Sequence, residues 1–318
     1  MKATQGTTYR MLGGRLNTLS NELEELRNIA SSGKKLNRAS DDPSSVRPVL
    51  TARKQLSDIA RHLDTMQQAL DKSSSTDSYL EHVEDVLVRV KELAIAAAND
   101  ALDSEGRDVL AGQVRDMRQE LLDAANASVD GKFIFAGYRE TTKPFTANPG
   151  YVAGGYDPTS SATWPYLYNG DENATYLEIT PGEQVQVNLT GNELFLGDAD
   201  NNGVVDAGRI DLFAVVTNVM EAIDNDDLTT LEGEIDNLDV AADQNRRLRS
   251  QLGNRAARIE SAMDLMQQSK IDVSELLSHY EDADAIEAFN NLTKQETAFE
   301  AALNVTSKVS QLSILDFM

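Results

Sequence analysis

The chain has three histidines, His62, His82 and His279, and no cysteine. A metal site on a helix sets two histidines one turn apart, as in a His-Glu-x-x-His segment. His62 and His82 are separated by five times that spacing, and His279 is remote from both. Without thiolates, zinc would need histidine and carboxylate together. There is no glycine-rich phosphate loop and no nucleophile elbow. The histidines therefore read as solvated or satisfied helix residues, and no enzymatic activity is expected.

One stretch does have ligand spacing: Asp198-Ala199-Asp200-Asn201-Asn202-Gly203-Val204-Val205-Asp206. It matches positions 1, 3, 5, 6 and 9 of a calcium loop, in which alternate oxygens surround a hard cation and a glycine makes the sharp turn. Asp198, Asp200, Asn202 and Asp206 would supply the oxygens. Position 12, where a bidentate carboxylate belongs, is Arg209, and Asp211 stands two residues late. The loop reads either as an Asx-rich turn or as a weak structural calcium site. Calcium is the one cofactor that the residues suggest.

Whatever these residues do, long helices must position them. The 318 residues carry 52 acidic side chains against 29 basic ones, a net charge of -23. Such a field repels polyanions, so neither nucleic acid nor an anionic membrane surface is expected as a partner. No run of about 18 apolar residues is present to cross a bilayer. The first residues, Met1 to Arg10, lack the apolar stretch of a cleavable secretory signal; if the protein leaves the cell, another route is expected.

Both flanks carry the 3-4 spacing of a helical seam. Leu12, Leu16, Leu19, Leu23, Leu26 and Ala30 form one, and Leu56 to Leu70 another that resumes in shifted phase from Leu80 to Ala97. A third runs from Leu110 to Ala124 and a fourth from Leu231 to Tyr280. The fourth would be about 75 Å long at ~1.5 Å per residue, which predicts an elongated molecule. Its polar members Asn245, Arg249 and Lys270 could fix register or face solvent. Pro48 could kink the second helix or set its start.

The last segment places Phe289, Leu292, Phe299, Leu303, Val309, Leu312 and Leu315 on a helical pattern. Residues 1–43 carry seven basic and five acidic groups, and 282–318 carry two basic and six acidic. Opposite signs favour pairing of the two ends, weakly. Between the flanks the composition changes: five of seven prolines fall from Pro144 to Pro181, and eleven of nineteen glycines from Gly131 to Gly208. Alternating stretches such as Tyr176-Leu177-Glu178-Ile179 sit there. The expected fold is mainly α with a β-rich insertion: a long-helix bundle, a coiled-coil-like end domain of terminal helices, and a small outer β domain. The expected division is 1–43 with 282–318 as the assembly domain, 44–131 with 211–281 as the core, and 132–210 as the insertion.

Ser32-Gly33-Lys34-Lys35-Leu36-Asn37-Arg38-Ala39-Ser40-Asp41-Asp42-Pro43 resembles the loop after the first helix of the flagellin superfamily, where a glycine turn and an acidic cap join two rods. Gly33, Asp41, Asp42 and Pro43 are its turn and cap, and Asp42 with Pro43 suits a helix start on physical grounds as well. Phe133-Ile134-Phe135-Ala136-Gly137-Tyr138, with Thr141-Thr142-Lys143-Pro144-Phe145, is similar to the strand entry of the branch at the junction of hook and filament. Leu252-Gly253-Asn254-Arg255, Asp282-Ala283-Asp284 and Leu303 to Leu315 look like the superfamily's later helices. The resemblance implies export through the flagellar type III apparatus, an extracellular place in the flagellum, and ring assembly with further copies. It also implies axial neighbours, hook-associated protein 1 and flagellin, and an export chaperone at the C-terminal helix. Filament flagellin and a secreted coiled-coil translocator or adhesin are the alternatives.

Overall fold

The computed structural model describes residues 2–99, 103–180 and 182–315, and the side chains of these other than 2–6, 8–9 and 309–315. Its helices are α1 (Lys2–Ser32), α2 (Pro43–Ala97), α3 (Ser104–Ala125), α4 (Leu212–Asp224), α5 (Leu228–Glu281) and α6 (Ala285–Leu315). Three antiparallel hairpins lie between α3 and α4. They are β1 (Ser128–Val129) with β2 (Lys132–Phe133), β3 (Phe145–Ala147) with β4 (Tyr166–Tyr168), and β5 (Tyr176–Thr180) with β6 (Glu183–Gln186). The insertion is thus three separate two-stranded sheets with much irregular backbone between them.

Contacts divide the chain into two compact units, Met1–Arg61 with Gln267–Met318, and His62–Met266. Residues 43–61 of α2 and 267–281 of α5 belong to the terminal unit, and each division between the units falls inside a helix. Pro48 sits inside α2 without ending it. The start of α2 is set instead by Asp42, whose Oδ1 accepts from the Ser44 N–H at 3.0 Å. Pro43 follows at the first helical position, where its missing N–H costs nothing.

In the second unit the core lies where α4 meets the hairpins. Almost every residue of α4 from Leu212 to Ile223 is buried, as expected of a short helix that is apolar on all sides. Phe135, Phe145, Phe195 and Phe213 pack ring on ring with centroids 5.3–5.6 Å apart, within the range that favours aromatic pairs. Asp211 caps α4 through Oδ1, which accepts from the Ala214 N–H at 3.0 Å. Gln244 on α5 stitches this region together. It donates to the carbonyls of Leu194 at 2.8 Å and Ile210 at 3.0 Å and accepts from the Ile210 N–H at 3.0 Å.

Asn245 is buried beside it and donates to the Leu80 carbonyl at 2.8 Å and to Glu84 at 3.2 Å. Of the two readings of this polar seam residue, the register pin is the one its position fits. Arg249 is paired with Asp77 at 2.9 Å. The motif from Phe133 to Tyr138 makes a turn closed by Asp171. Gly137 has φ +66, its missing Cβ leaves room for the Asp171 carbonyl, and Asp171 Oδ1 accepts from the Tyr138 N–H at 2.9 Å.

Candidate functional site

The chain's two ends form the candidate site. α1 and α6 pack together, and they run antiparallel, since the Ala283 N–H donates to the Gly33 carbonyl at 2.9 Å while Arg27 reaches Glu296 at 3.0 Å. Gln295 also donates to Glu22 at 2.7 Å. On α1, Leu12, Leu16, Leu19 and Leu26 are half-buried and Leu23 is 6% exposed. These are the residues that the 3-4 spacing selects.

On α6 the seam differs from the sequence expectation. The half-buried and buried positions with described side chains are Ala288, Asn291, Leu292, Gln295, Glu296, Phe299, Ala302 and Thr306. Leu292 and Phe299 are seam residues, but Phe289 is 57% exposed and Leu303 46% exposed. The physical reason is rotation: one residue turns a helix by about 100°, so a large side chain one place after a seam position points away from the partner. The small or polar residues Ala288, Gln295 and Thr306 hold the seam instead. Val309, Leu312 and Leu315 lie outside the residues whose side chains are described.

The base of this pair is fastened by Glu281, which the sequence reading missed. Its side chain is 2% exposed, and it is bound by Lys34 and by Arg53 Nη2 at 2.8 Å. Its backbone carbonyl accepts from the Lys35 N–H at 2.8 Å, and Lys35 Nζ donates to the His279 carbonyl at 2.6 Å. The turn from α1 to α2 is thereby tied to the turn from α5 to α6. Burial opposes the charge of Glu281, yet the hydrogen bonds from Arg53 and Lys34 outweigh it and hold the carboxyl below its ordinary value. Gly33 makes the α1 turn at φ +69. Asp41 Oδ2 accepts from the N–H groups of Asn37 at 3.0 Å and Arg38 at 2.6 Å, which folds the loop before Asp42. At the other turn Asp284 caps α6 by accepting from Ile286 at 2.8 Å and Glu287 at 3.1 Å.

The Asp198–Asp206 loop belongs to the second unit. Asp198 accepts the N–H groups of Asn202 at 3.0 Å and Gly203 at 2.8 Å, and Asp206 accepts that of Ala199 at 3.0 Å. Asp200 accepts the Asn202 amide at 2.9 Å. Arg209, at the twelfth position, pairs with Glu193 at 2.9 Å. Each carboxylate thus faces a donor of the loop itself, in the manner of Asx turns. Among the described residues no three His, Asp or Glu side chains are grouped as a metal site, and no helix is long and apolar enough to cross a membrane.

The comparisons with known proteins agree with this geometry. The bacterial flagellin N-terminal helical region matches residues 8–140, and the bacterial flagellin C-terminal helical region matches residues 235–318. The chain is 23% identical to flagellar hook-associated protein 3 of Escherichia coli over 296 residues, with 89% of each chain covered. It is 21% identical to flagellar hook-associated protein 3 of Salmonella typhimurium over 303 residues, again with 89% of each covered. Its fold is similar to that of the flagellar junction protein FlgL from Legionella pneumophila, with a TM-score of 0.57 at 16% identity, over 74% of this chain and 100% of that one. The two matched regions hold both seams and both turns of the candidate site and together span more than half of the sequence, so the chain belongs to the bacterial flagellin family.

Proposed function

We propose that this chain is a non-enzymatic structural subunit of the bacterial flagellum, which forms the junction between hook and filament by helical self-assembly. The observation that carries the reading is the pairing of the two chain ends into helices whose outward faces remain apolar. Ile286 is 76% exposed, and Met11, Phe289, Leu303 and Val305 are also exposed around the α1–α6 pair. A helix apolar on several sides has more than one partner to meet. Further copies of the chain would cover these faces within a ring. Hook-associated protein 1 and flagellin would be the axial neighbours, and an export chaperone would cover α6 before secretion.

The name and coverage of the curated relatives support the junction over the filament. Export without a cleaved signal and an extracellular place in the flagellum follow from the same reading. A pair of helices with little to bury against is marginal in water, so the ends become fully ordered only on assembly, which suppresses polymerisation before export.

Deletion of the gene, followed by electron microscopy of the cell surface and an assay of flagellin in the medium, tests the role. Bare hooks with flagellin released outside are expected. Hooks with no flagellin anywhere would make the chain the filament subunit, and intact filaments would remove it from the flagellar axis.

A further inference from the structure

The chain has two Asn-Gly dipeptides, Asn169-Gly170 and Asn202-Gly203. In such a pair the glycine nitrogen can attack the asparagine side chain, since the glycine has no Cβ to block the approach. The fold surrounds the two very differently. Asn202 is exposed, and its Oδ1 accepts from the Val204 N–H at 2.8 Å. The ring closed by that bond contains both Cγ of Asn202 and the nitrogen of Gly203. The Gly203 N–H in turn donates to Asp198 Oδ2 at 2.8 Å. A carboxylate base on the attacking nitrogen and an N–H donor on the attacked carbonyl thus meet in one loop. Burial raises the affinity of Asp198 for a proton, which suits it to the first task. Asn169 is fastened instead. Its Nδ2 donates to Thr146 Oγ1 at 3.0 Å and its N–H to the Pro144 carbonyl at 2.7 Å. Gly170 is buried, and a Cβ added there would collide with the Tyr168 hydroxyl, so this backbone has little room to rearrange.

We propose that Asn202 is a self-modification site, which the folded chain converts to aspartate and isoaspartate with Asp198 as the base. Asp198 Oδ2 takes the Gly203 amide proton as the Gly203 nitrogen bonds to Asn202 Cγ. The Val204 N–H holds the oxyanion that forms on Oδ1. The bond from Cγ to Nδ2 then breaks, and the nitrogen leaves as ammonia with the proton that Asp198 had taken. Water opens the resulting succinimide. Attack at Cγ gives aspartate, and attack at the main-chain carbonyl gives isoaspartate. Either product carries a carboxyl in place of the amide whose Nδ2 had donated to Asp200 Oδ2 at 2.9 Å, so like charges come to face each other. Isoaspartate also lengthens the main chain beside Gly203, whose carbonyl accepts from the Ser161 N–H at 3.1 Å. Older copies therefore carry an added negative charge and a looser tie between this loop and Ser161.

Incubation of the full chain in neutral buffer, folded and in denaturing guanidinium chloride, followed by peptide mapping with mass spectrometry, reads both dipeptides over time. In the folded chain Asn202 is expected to lose ammonia at least about tenfold faster than Asn169, and at least about tenfold faster than it does itself in denaturant. Asp198→Asn removes the base with little change of shape and is expected to slow the folded reaction by about tenfold or more. Circular dichroism checks that this variant is folded. Should it unfold, the comparison of folded and denatured parent decides alone. A folded rate at Asn202 equal to or below that in denaturant overturns the proposal, because the hydrogen bonds would then protect the amide. A folded Asp198→Asn chain that reacts as fast as the parent, or faster, overturns it as well.

Discussion

Arg53 Nη2 lies 2.8 Å from Glu281 Oε1 across 228 residues of sequence, and this contact holds the two turns of the terminal unit in register. A carboxylate that is almost fully buried and bound by two cations stabilises chiefly by never being left unpaired. Both cations are themselves half exposed, so solvent screens them and the net gain is modest.

Replacing the acceptor tests the latch. Glu281→Gln is expected to cost about 1–2 kcal/mol in the terminal unit. Amides in the 34–41 loop should exchange faster with deuterium while those in α4 keep their protection. The parent's Glu281 is held below the ordinary carboxylate value of 4.5, so its contribution is complete above that pH and is lost as the pH falls through the lowered value. The acid limb of the parent's stability curve should carry this step, and the curve for the Gln variant should not.

The seam is tested by one buried and one exposed residue. Leu23→Asp places an unpaired charge at the most buried seam position of α1 and is expected to cost more than about 3 kcal/mol of pairing between the ends. Junction assembly and motility should fail while the second unit melts as before. Phe289→Ser, by contrast, should leave monomer stability within about 0.5 kcal/mol of the parent, since Phe289 points away from α1. Its effect should appear only in assembly.

Asp211 provides a pH prediction of the opposite sense. Burial pushes its carboxyl up from 3.8 to about 8, against the N–H groups of Ala214 and Phe213. The folded chain then holds a proton that the unfolded chain releases above pH 3.8, so stability falls as the pH rises toward 8 and levels off beyond it. Asp211→Asn keeps the capping oxygen and removes the titration. Its unfolding free energy should exceed the parent's at alkaline pH by on the order of a few kcal/mol, and the gap should close near pH 4.

The Asp198 loop is expected to be held by its own hydrogen bonds. Burial also raises the Asp198 carboxyl, despite the N–H groups of Gly203 and Asn202. Asp198→Ala should destabilise the second unit by about 1–2 kcal/mol, because two partly buried hydrogen bonds, from the N–H groups of Asn202 and Gly203, lose their acceptor. Calorimetry with millimolar calcium should give no heat. A saturable calcium heat that is lost in Asp200→Ala would establish the weak site that the loop's spacing also allows.

Much of this protein was legible in one dimension. A 3-4 apolar repeat fixes a helical seam wherever it is long enough, which is why Leu12 to Leu26, the third helix and the long fifth helix could be read directly. Proline and glycine mark where that periodicity stops, so the hairpin region could be bounded. Asp42 and Asp284 cap helices through atoms two or three residues away, and such local chemistry travels with the sequence. The tertiary structure decided what depends on partners far along the chain. Which side of α6 faces α1 was settled by packing, which chose Ala288 and Gln295 over the larger Phe289 and Leu303. Nothing in the sequence sets Glu281 or Gln244 apart from other polar helix residues; Arg53 and Lys34 enclose the first, and the backbone of Leu194 and Ile210 comes to the second. Local periodicity and capping are written residue by residue; the environment of a buried polar group is set by whatever the rest of the chain brings to it.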